Sequence, residues 1–81
     1  MLVLERSLSL NGPWMTGDDV LLLQERLLGL GYDEVGEADG VFGSHTDQAV
    51  RHFQEVNELV VDGIVGPITW EVLFSSSAKG P

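Results

Sequence analysis

Apolar residues in this chain fall into three helix-period stripes, separated by corners rich in Asp and Gly. Val20, Leu23, Leu27 and Leu30 share one face and predict a first helix. Thr16-Gly17-Asp18-Asp19 precedes them with capping side chains and carboxylates suited to the positive end of a helix. Gly29 and Gly31 close it, with Gly31 expected in a left-handed conformation. Ala49, Val50, Phe53 and Val56 form a second stripe, predicting a helix over about 44–57. Trp70, Leu73 and Phe74 form a third, and Pro67 fits the first position of that helix, where its missing N–H costs nothing. Leu21, Leu22 and Leu28 widen the first stripe beyond one face, either to pack under the N-terminal segment or to meet a partner. Leucines at 2, 4, 8 and 10 alternate as in an extended segment, which ends at the turn cluster Asn11-Gly12-Pro13. Residues 32–38 read as a polar loop. The expected fold is all-α: a compact three-helix bundle over 17–74, an extended lead-in over 1–16, and a small, polar tail or linker over 75–81.

One phrase occurs twice. Asp39-Gly40-Val41-Phe42-Gly43-Ser44-His45-Thr46 returns 23 residues later as Asp62-Gly63-Ile64-Val65-Gly66-Pro67-Ile68-Thr69. An internal repeat implies two similar supersecondary units. Asp folds back on the backbone two residues on, and Gly accepts a positive φ without a Cβ clash. Gly43 and Gly66 are expected at N-caps, with Thr46 and Thr69 in the first helical turn and Val41, Phe42, Ile64 and Val65 plugging the corner into the core. Gln24 and Gln54 each follow a core residue, Leu23 and Phe53, and each is placed to tie its helix to a loop backbone through the amide. Turn chemistry alone accounts for the phrase as scaffold. The functional alternative is that backbone groups at these glycines line a ligand groove.

Composition narrows the ligand. Thirteen acidic residues face four basic ones, for a net charge of −9. Nucleic acid and anionic membrane surfaces both need clustered Lys and Arg, so neither is expected as a partner. The longest apolar runs, four residues each at 1–4 and at Val20 to Leu23, are far too short to span a bilayer. The N-terminus shows no basic segment followed by a long apolar stretch, so export would use another route or the chain is part of a longer protein. With no cysteine, disulfides and thiolate chemistry are excluded.

Other chemistries are weaker. Gly40 or Gly63 placed at position six of a calcium loop leaves no bidentate Glu at position twelve. His45 and His52 share a helical face but stand about 10 Å apart along the axis, too far to share one metal. Acid/base hydrolysis needs paired carboxylates, one with a raised pKa, whereas Asp39 and Asp62 are better read as turn formers. No serine-nucleophile motif is present. No catalytic residue, metal or cofactor is expected.

The spaced motifs agree with a known family. Gly17-Asp18-Asp19-Val20, Leu23-Gln24, Leu27 and Leu30-Gly31-Tyr32 form one hallmark stretch. Asp39-Gly40-Val41-Phe42-Gly43, Thr46, Ala49-Val50 and Phe53-Gln54 form the next. Leu59, Val61-Asp62-Gly63-Ile64-Val65-Gly66-Pro67 and Thr69-Trp70 complete it. From about Gly17 to Phe74 the chain resembles the three-helix peptidoglycan-binding domain found beside the catalytic domains of bacterial and phage cell-wall hydrolases. The resemblance implies a non-catalytic, monomeric module that holds a linked or partner hydrolase on murein, in the extracellular or cell-wall space. A related domain forms the propeptide of matrix metalloproteinases, where a cysteine blocks the zinc; that role cannot carry over to a cysteine-free chain. The expected site is one shallow groove where the two Asp-Gly corners approach each other. Gly40, Gly43, Gly63 and Gly66 would give its backbone lining, and Tyr32, Thr46 and Thr69 its side-chain contacts. Arg51 is a candidate for a stem-peptide carboxylate. Trp14 would either stack on a sugar ring or cap the bundle. The rival function is a protein-interaction module using Leu21, Leu22 and Leu28.

Overall fold

The computed structural model describes residues 4–10 and 14–81, so the alternation at Leu2 and the Asn11-Gly12-Pro13 turn lie outside the described residues. Three α-helices follow one another: α1 (Asp18–Leu30), α2 (Ser44–Val56) and α3 (Pro67–Leu73). All three start at a glycine, Gly17, Gly43 and Gly66, without a side-chain cap. In each case the glycine carbonyl accepts the first helical bond, from Leu21, Asp47 and Trp70. Pro67 opens α3. The loop before α2 contains a one-turn 3-10 helix at Asp33–Val35 that buries Val35, so the expected polar loop carries a core residue.

Helices α1 and α2 end the same way with different residues. After α1, Gly31 takes φ 104°, its N–H bonds Leu28, and the Tyr32 N–H bonds Leu27. After α2, Glu58 takes φ 59°, its N–H bonds Glu55, and the Leu59 N–H bonds Gln54. Both are Schellman closures. The second puts a side chain where the first has none, in a region that disfavours Cβ.

The core holds Leu23 and Leu27 of α1, Val50 and Phe53 of α2 and Leu73 of α3, with Phe42, Val65, Leu8 and Tyr32 from the connections. Leu22 and Leu28 are partly buried against it. Leu21 is also half-buried, its Cβ lying 3.9 Å from where a Cβ on Gly40 would stand. The three leucines therefore belong to the packing and do not form an exposed face. Large exposed apolar residues lie elsewhere: Trp14, Val60, Val61, Ile64, Ile68 and Leu10.

The lead-in is extended and divided between the two repeats. Leu8 exchanges backbone bonds with Val65 in both directions, at 3.1 and 2.7 Å. Further on, the Phe42 N–H bonds Met15 at 2.9 Å and the Gly17 N–H bonds Gly40 at 3.1 Å. Leu8 thus stands to the second corner as Met15 stands to the first. Arg6 ties the lead-in to α1 through Asp19, at 2.8 Å, and also bonds the Thr16 carbonyl within the lead-in.

The C-terminal stretch differs from expectation. The Tyr32 hydroxyl donates to the Lys79 carbonyl at 2.5 Å, and Asn57 bonds Lys79 through both its amide oxygen and its amide nitrogen. Arg26 donates to the carbonyls of Leu73 and Ser75. Pro81 packs at Gly31, and Gly80 lies so close to α1 that an added Cβ would stand 2.5 Å from the Leu30 carbonyl oxygen. Ala78 is partly buried. Residues 75–81 thus fold back onto the bundle. Their small side chains, read from sequence as a linker, are what allow the close approach.

Candidate binding grooves

Each corner is wired from within by the glutamine of the helix that precedes it. Gln24 is 1% exposed. Its amide nitrogen donates to Asp39 Oδ1, the Val41 carbonyl and Thr46 Oγ1, and its Oε1 accepts from the Gly40 N–H. Gln54, fully buried, repeats the set in the second corner. It donates to Asp62 Oδ1, the Ile64 carbonyl and Thr69 Oγ1, and accepts from the N–H groups of Asp62 and Gly63. A buried amide must find partners, and the corner supplies them. Asp39 and Asp62 fold back as expected, accepting from Val41 and Ile64 N–H at 3.0 and 2.9 Å. These backbone bonds, with the glutamine bonds next in weight, hold both carboxyls below the usual aspartate range. Thr46 and Thr69 reach the Asp loop through the glutamine and not directly.

The left-handed glycines are needed here. Gly40 and Gly63 take φ 78° and 72°. A Cβ on Gly40 would meet Gly17 O at 3.5 Å, an ordinary contact. On Gly63 it would meet Asp47 Oδ1 at 2.7 Å and Arg51 Nη2 at 2.8 Å. Each corner therefore sits on the flank of the helix before it, the first on α1 and the second on α2.

This placement gives two grooves where one was expected. The first, about 420 Å³, is lined by Trp14, Glu37, Asp39, Gly43, His45 and Thr46 among others. The second, about 430 Å³, is lined by Val60, Asp62, Ile64, Gly66, Ile68 and Thr69 among others. Their linings share no residue. Among the expected contacts, Trp14, Gly43 and Thr46 border the first groove, and Gly66 and Thr69 the second. Gly40 and Gly63 are taken up inside the corners and border neither. Tyr32 is fully buried, its ring edge-on to His52 and Phe53 and its hydroxyl committed to Lys79, so it presents no surface to a ligand. Arg51 pairs with Asp47 at 3.2 Å across one helical turn, beside Gly63 and outside both linings.

Trp14 is 60% exposed, so it is not buried as a cap on the bundle. The indole lies beside Gly43, with ring atoms 3.9 Å from a Cβ added there. At the matching place, beside Gly66, stands Ser7. The two grooves therefore differ at their rims. Trp14, Ser44 and His45 in the first correspond to Ser7, Pro67 and Ile68 in the second. The sequence showed the repeat but not this pairing of Trp14 with Ser7, because the lead-in carries no repeated motif and its register comes from backbone bonds. Glu37 also borders the first groove and was missed, since it lies in a loop with no counterpart in the second unit. Among the described residues, no group of three or more His, Asp and Glu is arranged to hold a metal ion. His52 instead meets Glu34 through Nδ1.

Comparisons with known proteins agree with this architecture. Residues 16–73 match the family described as "Putative peptidoglycan binding domain". The chain is 41% identical over 68 residues to N-acetylmuramoyl-L-alanine amidase CwlM of Mycobacterium tuberculosis, covering 84% of this chain and 16% of that protein. It is 49% identical over 63 residues to the spore cortex-lytic enzyme of Bacillus subtilis, covering 76% of this chain and 20% of that enzyme. The chain thus spans about a fifth of the length of these relatives. The crystal structure of the SleB N-terminal domain superposes with a TM-score of 0.82 at 36% identity, covering 94% of this chain and 99% of that one.

Proposed function

We propose that this chain, which belongs to the peptidoglycan-binding domain family, attaches a cell-wall hydrolase to peptidoglycan through its two corner grooves without itself cleaving the polymer. The observation that carries the reading is the family match over residues 16–73 joined to two open grooves, one beside Gly43 and one beside Gly66. The similar proteins are an amidase and cortex-lytic enzymes several times longer than this chain, which suits a module carried beside a catalytic domain. The place of action is then the wall or spore cortex.

A non-catalytic role fits the electrostatics. Glycan cleavage uses a carboxylic acid whose pKa is raised, so that it is protonated when needed. The groove carboxyls Asp39 and Asp62 are shifted the opposite way and stay ionised. Binding at a net charge of −9 rests on short-range contacts, since stem-peptide carboxylates are repelled at long range. Weak affinity per groove suffices for a tethered enzyme, because linkage raises the effective concentration.

Co-sedimentation of the 81-residue chain with purified sacculi tests the reading. Partition into the pellet, with no release of soluble fragments, is the expected result. A chain left in the supernatant, or one that solubilises labelled wall, would sink it. A second reading, a protein-docking module, draws on the exposed aliphatic side chains of groove two, where Val60 and Ile68 are 78% and 71% exposed. It predicts a self-associated species in sedimentation velocity, lost on Ile68→Asp, whereas the murein reading predicts a monomer.

A further inference from the structure

Groove one carries a chemical bias that the family assignment does not specify. Its lining includes Glu37 and Asp39, and neither a Lys nor an Arg. Asp39 remains ionised because the Val41 N–H and the Gln24 amide bond its carboxylate. The donors nearest the corner, the Gly40 and Val41 N–H groups and the Gln24 amide, are all used within it. The same groove is lined by the largely exposed indole of Trp14, on a segment fixed by the backbone bond from Phe42 to Met15. An anion would meet two carboxylates and no Lys or Arg side chain, with only the backbone N–H groups that open α2 to receive it. A cationic group would meet both the carboxylates and the electron-rich ring. The second groove has Ser7 at the indole position and Ile68 at the histidine position, so it lacks this combination.

We propose that groove one binds a primary ammonium group of the wall polymer, held between the Trp14 ring and the carboxylates of Glu37 and Asp39. The proposal rests on the murein-binding reading and names the group recognised. It also gives that reading an electrostatic rationale, because a protein of charge −9 attracts the amines of a polymer whose carboxylates it repels. Two sources carry this chemistry: an amino sugar that has lost its acetyl group, and the side-chain amine of a diamino acid in the stem peptide.

The test is a titration of the intact chain with four probes, reading Trp14 fluorescence against a Trp14→Phe control that removes the reporter. The probes are a glucosamine tetramer, its fully N-acetylated counterpart, a lysine-containing stem tetrapeptide acetylated at its N-terminus, and the same peptide acetylated also on the side-chain amine. Binding to at least one amine probe should be tighter by about tenfold than to its acetylated form, the size of a partly desolvated cation–π contact. Glu37→Gln, an exposed substitution that leaves the melting temperature unchanged, should weaken that probe several-fold and leave its acetylated form unaffected. The glucosamine arm and the lysine arm identify the source. Equal affinity for both members of each pair, or no binding of any probe, overturns the proposal. Sacculi treated with acetic anhydride separate this outcome from the wider reading. Unchanged affinity for acetylated sacculi overturns ammonium recognition while murein binding stands. Failure to pellet on untreated sacculi refutes murein binding itself, and a preference for amine probes would then support the groove chemistry alone.

Discussion

The first and second corners share their interior and differ at their rims. In both, a buried glutamine holds an Asp-Gly turn and a threonine hydroxyl, and a glycine carbonyl starts the next helix. At the rim, Trp14, Ser44 and His45 occupy the places that Ser7, Pro67 and Ile68 take in the second unit. The repeated positions are those the backbone needs. The unrepeated ones are free to give each groove its own chemistry. A polar, aromatic groove and an aliphatic one thus stand on the same internal scaffold.

The largest expected effects test whether the interiors are equivalent. Gln24→Leu should cost about 2–4 kcal/mol, because it removes bonds to Asp39 and Thr46 and leaves the Gly40 N–H without its acceptor. Gln54→Leu should cost a similar amount, measured as ΔG in urea melts. A difference between the two well above about 1 kcal/mol would mean that the second corner is not a copy of the first in energy.

The glycines sharpen the comparison at a smaller scale. Gly40→Ala should cost about 1 kcal/mol, since φ is positive but the added Cβ would make only ordinary contacts. Gly63→Ala should cost more, because its Cβ must also displace the Asp47–Arg51 pair. Equal costs would show that the pair moves away freely.

Acid should affect both corners alike. Asp39 and Asp62 have folded-state pKa values below those of an unfolded chain. Their contribution is therefore fully present above about pH 4 and lost as the pH falls through the folded values. Asp39→Asn and Asp62→Asn should each flatten the decline of melting temperature below pH 4. A decline as steep as in the parent would place the acid sensitivity elsewhere.

The smallest effect is a gain. Glu58→Gly places glycine where α2 ends in a left-handed conformation, as Gly31 already does for α1. Stability should rise by a few tenths of a kcal/mol to about 1 kcal/mol. A loss would mean that the Glu58 side chain contributes more than its backbone strain costs.

The same division explains what could be read from the sequence. Helix stripes and the doubled phrase locate all three helices, the glycine starts of α2 and α3 and the Gln-to-corner ties, because each follows from local periodicity and turn chemistry. The capping side chains expected before α1 make no cap bond, and Gly17 starts it instead. Long-range consequences were not legible. Tyr32 follows a helix-ending glycine and reads as a surface aromatic, but the returning C-terminal stretch covers its hydroxyl. Residues 75–81 look like a linker because Gly80 and Pro81 are small enough to lie against α1. The single expected groove became two because each corner packs on the helix before it, which spacing along the chain does not encode.

The central claim is that both corners, and not another face of the molecule, present the ligand-binding surface. Backbone amide chemical shifts during titration with soluble peptidoglycan fragments test it directly. The account predicts shifts confined to residues 37–46 and 58–69, with the indole N–H of Trp14 among the most affected. Shifts gathered instead around Arg26 and residues 75–81, with both corners silent, would contradict it.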